Sequence, residues 1–180
     1  MRAVQLQAHD PAWADEARAE ALALAGVLDD GLLAVHHIGS TAIPGLPAKP
    51  VIDLLAVART LAVFDRRRGG LEALGYRWRG ENGLPGRRYL TREDPGSGRR
   101  RVQLHGYAEG AADIVRHLAF RDFLRSDPRA ASDYAREKLR CQSLHPDDTG
   151  AYSDCKADWI RRTESIALAA MTMAAASQTG

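Results

Sequence analysis

"HHIGSTAIPGLPAKPVIDLLAVA", residues 36–58, runs from one strand-like segment through a Gly-Ser pair and a Pro-punctuated loop into a second strand-like segment. The second segment is nearly continuous in apolar residues, as expected of a strand covered on both faces. It carries one acid, Asp53. Side chains alternate along a strand, so Val51, Asp53 and Leu55 share one face while Ile52 and Leu54 take the other. A carboxylate among such neighbours needs a cation or hydrogen-bond donors, because burying it unpaired is costly. Glycine removes the β-carbon that would block close approach, so Gly39, Ser40 and Thr41 can turn backbone N–H groups and hydroxyls toward a phosphate. A Gly-Ser pair alone is more often a plain turn. Lys49, on the loop just before the acid, offers an ammonium to a phosphate or to Asp53, or is simply solvated.

Outward from this segment, "DPAWADEARAEALALAGVLDD" supplies Asp10 as a cap and Pro11 in the first turn of a helix over about 11–28. "GLLAVHHIG" and "KPVIDLLAVA" are the two motif strands. "LAVFDRRRGGLEALG" reads as one helix with a weak point at Gly69 and Gly70, ended by Gly75. Three further strands, "YRWRG", "RRYLTRE" and "RRRVQLHGYA", are separated by the turn chemistry of "ENGLPG" and "DPGSG", which predicts an antiparallel middle. Three helices follow: one through "IVRHLAFRDFLRS", one from the Asp127-Pro128 start, and one over about 148–174. Trp13, Trp78 and Trp159 are expected as core or half-buried anchors.

The 180 residues carry 25 Lys and Arg against 23 Asp and Glu, a net charge of +2. That near-balance argues against a nucleic-acid partner, although residues 66–125 hold 14 Arg against 7 acids and so suggest a local anion-binding surface. Of all the basic residues only Lys49, Lys138 and Lys156 are lysine. No apolar run approaches the roughly 20 residues of a membrane span. Two cysteines, Cys141 and Cys155, with no apolar signal segment, lead us to expect a soluble protein in a reducing cytoplasm, without a disulfide framework. The length suits one domain over 1–180, with a motif core at 31–108 and a helical part at 111–174.

Strand, Gly-Ser, loop and acid-bearing strand together resemble the active-site signature of the nucleotidyltransferase superfamily. More specifically, "HHIGSTAIPGLPAKPVIDLLAV", "GENGLPGRRYL", "RHLAFRDFLR", "DYAREKL" and "AYSDCKADWI" are similar to the GrpB family within it, over about residues 3–165. The resemblance implies an α+β fold: a mixed sheet of about five strands, flanking helices and a helical C-terminal part. It also implies that Gly39, Ser40 and Thr41 hold a nucleoside triphosphate, that Asp53 binds Mg²⁺, and that a nucleotidyl group passes to a small acceptor.

The superfamily usually places two acids one residue apart on the second strand. Here Val51 stands at the first of those positions. Superfamily enzymes often add an acid from a later strand, whereas "RRRVQLHGYA" offers Gln103 and His105, and the family commonly carries histidine there. His105 is thus a candidate base or ligand for a softer metal, or a structural histidine. Only one of His36 and His37 can face the site, and the resemblance favours His37. Arg116, His117 and Arg121 form a polar cluster with Asp122 on one helix. His117 and Arg121 lie four apart and so share a face, where they bind phosphate or form a surface pair. Glu81, a possible extra metal ligand, and Arg87 flank a turn. Tyr134, Lys138, Tyr152 and Lys156 are expected chiefly to pack, with closure of one side of the cleft as the alternative. Loss of one acid leaves a second expectation, a binding module of altered or absent chemistry.

Overall fold

A computed structural model describes residues 3–177. Helix α1, Ala12–Leu28, begins where Asp10 accepts the Ala12 N–H at 2.9 Å. Strands β1, Leu32–Ile38, and β2, Ile52–Ala58, pair antiparallel around the quoted segment. The expected single helix after β2 is two, α2, Leu61–Arg66, and α3, Arg68–Ala73. The break falls at Arg67, whose backbone leaves the helical region, and the Gly69-Gly70 pair is not the weak point. Gly70 instead permits close packing on α1, since a β-carbon there would stand 2.8 Å from Val27 Cγ1.

Strands β3, Tyr76–Trp78, β4, Arg87–Glu93, and β5, Arg100–Ala108, complete a five-stranded sheet of order β1-β2-β5-β4-β3. Only β2 and β5 run parallel, and the antiparallel middle is as expected. Helices α4, Ala112–Ser126, α5, Pro128–Leu144, and α6, Thr149–Ser177, follow. Asp127 caps α5 by accepting the Arg129 and Ala130 N–H groups, ahead of Pro128, and such a cap contributes roughly 1 kcal/mol. Among the described residues no helix is long and apolar enough to cross a membrane.

The sheet is covered on both faces. Ile52, Leu54, Ala56, Val102 and Leu104 pack with Trp13, Leu24, Leu28, Phe64 and Leu71 from α1–α3. Each large apolar side chain so buried contributes about 1.5–3 kcal/mol. Ile38, Leu55 and Tyr107 on the other face meet Ile114 and Leu118 of α4. Ile43 and Leu46, in the loop after the Gly-Ser pair, pack with Leu124 and Tyr134 and with Trp159, which stacks on Tyr134 at 4.7 Å between ring centroids. Loop 43–46 therefore ties the motif strands to the helical part.

One expectation about the helices is corrected. Cys141 on α5 and Cys155 on α6 form a disulfide, with their Cα atoms 5.8 Å apart. They lie 14 residues apart in sequence and meet because the chain reverses between two antiparallel helices.

Candidate functional site

The acid-bearing face of the sheet, α4–α6, the Gly39–Thr41 turn and residues 49–51 line a cleft of about 1040 Å³. Gly39, Ser40, Thr41, Lys49, Val51, Asp53, His105, Arg116 and His117 line it. Gly39 has φ +70, and Ser40–Ala42 form a single tight turn behind it. A β-carbon at residue 39 would stand 2.4 Å from Asp53 Oδ2, so only glycine lets the turn lie against the carboxylate. Thr41 Oγ1 donates to the Val51 carbonyl at 3.3 Å and fixes the turn to the start of β2.

Register decides which side chains join Asp53. It lies beside Ile38 on β1 and Gln103 on β5, and in the next row His36, Leu55, His105 and Tyr89 share its face. His105 Nε2 is 3.9 Å from Asp53 Oδ1, and the buried Nδ1 has no hydrogen-bond partner. The Tyr89 hydroxyl donates to Gln103 Oε1. His117 of α4 closes over this row, its ring centroid 5.5 Å from that of His105. Burial, then the Arg116 charge, lowers the His117 pKa to about 3, so its imidazole is neutral at pH 7.

His37 does not face the site as expected. It pairs with Leu54 and so lies on the opposite face of the sheet, where its Nε2 is 2.9 Å from Thr41 Oγ1. It orients the turn from behind, and burial lowers its pKa to about 4. Arg121 also stays outside the cleft: it donates to the His37 carbonyl and, through Nε and Nη2, to Asp122. Arg116 lines the cleft while paired with Asp113 and Glu164.

Neither Glu81 nor Arg87 lines the cleft. Glu81 accepts the Gly86 N–H at 2.8 Å and closes the turn before β4, so it does not join Asp53 in the cleft as expected. Arg87 is buried, donates to the Glu81 and Asn82 carbonyls, and lies over the Tyr89 ring. Both are drawn into the "ENGLPG" turn because that turn leaves carbonyl and N–H groups unpaired by any strand.

Of the residues expected chiefly to pack, Tyr134, Lys138 and Tyr152 are buried, and with Lys156 they also form one wall of the cleft. Tyr134 and Lys138 rise from α5, and Tyr152 and Lys156 from α6. Lys138, 2 % exposed, donates to the Pro47 carbonyl and lies 5.3 Å from the Tyr134 ring centroid. Lys49 and Lys156 lie over the Tyr152 ring, at 4.8 and 5.5 Å. All three lysines of the chain thus border one cleft. Burial, reinforced by Lys156 and Lys49, lowers the Lys138 pKa to about 7, and burial lowers Lys49 and Lys156 as well. Burial pushes the Tyr134 hydroxyl up to about 12. The signal available in the sequence was the rarity of lysine in an arginine-rich chain.

Of the cleft's carboxylates, Asp53 alone lies against the Gly39 turn; Glu164 is paired with Arg116 and Asp94 accepts from Ser97. With Val51 beside Asp53 and His105 in place of a later acid, the side chains do not form a two-ion site. They would suit one Mg²⁺ at Asp53, with its other positions left to oxygen ligands from outside the chain, as is usual for that ion.

A family profile described as GrpB protein matches residues 3–165. The UPF0157 protein YqkA of Bacillus subtilis is 37 % identical over 163 residues, which is 91 % of this chain and 47 % of that protein. The chain thus spans about half the length of that relative. The crystal structure of the conserved protein GrpB from Enterococcus faecalis superposes with a TM-score of 0.87 at 37 % identity, covering 93 % of this chain and 99 % of the other. A crystal structure of the Cid1 poly(U) polymerase gives a TM-score of 0.52 at 13 % identity, covering 78 % of this chain and 43 % of the polymerase, a likeness of fold.

Proposed function

The chain belongs to the GrpB family, and from its nucleotidyltransferase-like fold and the groups lining its cleft we propose that it binds a nucleoside triphosphate and transfers the nucleotidyl group to a small acceptor. The observation that carries this reading is the convergence of the Gly39–Thr41 turn, Asp53 and three lysines on one cleft. In this scheme the turn and the lysines hold the phosphate chain, as backbone N–H groups and ammonium ions do at phosphate sites. An acceptor oxygen attacks the α-phosphorus, the bond from that phosphorus to the bridging oxygen breaks, and pyrophosphate leaves. His105, beside Asp53, takes the acceptor proton. Asp53 would hold Mg²⁺, whose chemistry when bound would be Lewis-acid polarisation of the phosphoryl oxygens. The chain's partners in this reading are a nucleotide and a small molecule.

Calorimetric titration of ATP, GTP, CTP and UTP, with and without Mg²⁺, tests the reading on the wild type and Asp53→Ala. It expects at least one nucleotide to bind and Asp53→Ala to lose any Mg²⁺-dependent gain. Absence of binding by all four in both conditions rejects it.

Val51 favours a second reading, a nucleotide-binding module whose transfer chemistry is altered or lost. Val51→Asp separates the two. A degenerate site gains metal affinity when the acid is restored, whereas a site with its own chemistry is damaged by a further unpaired charge.

A further inference from the structure

The chain's arginines and lysines are used differently. Among the described residues every ion pair draws its cation from arginine or histidine, and Asp113, Glu164, Asp122 and Glu137 are all engaged in this way. No lysine is in an ion pair among the described residues. Lys49 and Lys156 present their ammonium groups to the face of Tyr152, and Lys138 to a carbonyl and the face of Tyr134. Carbonyls and aromatic rings orient a cation without neutralising it.

The acid count runs the opposite way. Carboxylates converging on one point repel a phosphate chain until divalent cations bridge them, whereas here Asp53 alone stands beside the turn and three lysines border the cleft. Asp94 and Glu164 also line it, but Glu164 is paired with Arg116, and Arg99, Arg100 and Arg101 stand on the same rim. The charge facing the ligand is therefore positive before any metal binds. Mutual repulsion among the lysines, each buried to some degree, is relieved when an anion enters.

We infer that Lys49, Lys138 and Lys156 do the work a divalent cation does elsewhere in holding the phosphate chain, so that the cleft binds a polyphosphate with no metal present. This inference rests on the nucleotide-binding reading above and narrows it: Mg²⁺ belongs to transfer, and affinity belongs to the lysines. The ligand class is a polyphosphate, because three lysines and the Gly39–Thr41 turn border one cleft and together offer more donors than a single phosphate engages.

The test is calorimetry with sodium tripolyphosphate and with ATP, each in EDTA and in Mg²⁺, on wild type, Lys49→Gln and Lys156→Gln, whose folding is checked by circular dichroism. The wild-type measurements stand alone if a variant fails to fold. Expected are tripolyphosphate binding in EDTA within about tenfold of that in Mg²⁺, and a loss of about tenfold or more in each folded variant, the scale of one charge-assisted contact. ATP binding in Mg²⁺ but not in EDTA overturns the inference and leaves the nucleotide reading standing. Tripolyphosphate binding in EDTA that both variants retain unchanged overturns it too. Absence of binding by either ligand in either condition removes the nucleotide reading and the inference together.

Discussion

A methyl group at residue 39 would force apart the two halves of the motif, because the backbone there has φ +70 and the new carbon would meet Asp53 Oδ2 at 2.4 Å. Gly39→Ala therefore combines a backbone conformation disfavoured for alanine with a steric conflict. It is expected to lower the unfolding free energy by about 2 kcal/mol or more, read from urea melts. A loss within experimental error would show that the turn can move off the carboxylate. The buried histidines give a second residue-level expectation. Burial lowers His37 to about 4 and His117 to about 3, whereas in the unfolded chain both titrate near 6.5. Below that pH the unfolded state binds more protons than the native state. Their contribution is thus present in full above about pH 6.5 and is lost as pH falls through the folded-state values. His117→Gln removes one of these groups and is expected to lose less stability than wild type between about pH 7 and about pH 4, measured by urea melts at each pH. Identical pH slopes would show that His117 titrates alike in the native and unfolded states.

The helices α5 and α6 are joined by a bond as well as by packing. Cys141 and Cys155 close a loop of sequence separation 14, and constraining the unfolded chain over such a loop is expected to stabilise by about 3 kcal/mol. Dithiothreitol, or Cys155→Ser, is therefore predicted to lower stability by about that amount in chemical denaturation. An unchanged midpoint would mean that helix packing alone holds the pair. The elements themselves were legible wherever their signals are local. The apolar runs of β1 and β2 and the Asp127-Pro128 start of α5 all depend on neighbours in sequence. The split between α2 and α3 was not legible, because Gly69 and Gly70 look like a breaker until α1 is seen against Gly70. The disulfide was not either, since its geometry belongs to two helices at once.

Across the whole molecule, the part of the site that could be read in advance is the part lying on one continuous segment, Gly39 to Asp53. Which histidine faces inward depends on the pairing of β1 with β2, and register assigns His36, not His37, to the face of Asp53. The lysine set was hidden for a similar reason: Lys49 precedes β2, whereas Lys138 and Lys156 come from α5 and α6, and only the tertiary fold brings them to one wall. The cleft is consequently a seam between the motif sheet and the helical part, with the three lysines gathered along it. A polyphosphate bound there links the two parts and binds the native state alone. At a ligand concentration about 100 times the dissociation constant, such linkage stabilises by about 2.7 kcal/mol, which raises the melting temperature of a chain this size by about 5–10 °C. Thermal unfolding with tripolyphosphate in EDTA is expected to show that rise in the wild type and a much smaller one in Lys156→Gln at the same concentration. Orthophosphate, with fewer oxygens to engage the lysines and the turn, is expected to give a smaller rise in the wild type. An equal rise in wild type and variant would place the stabilising anion somewhere other than this seam.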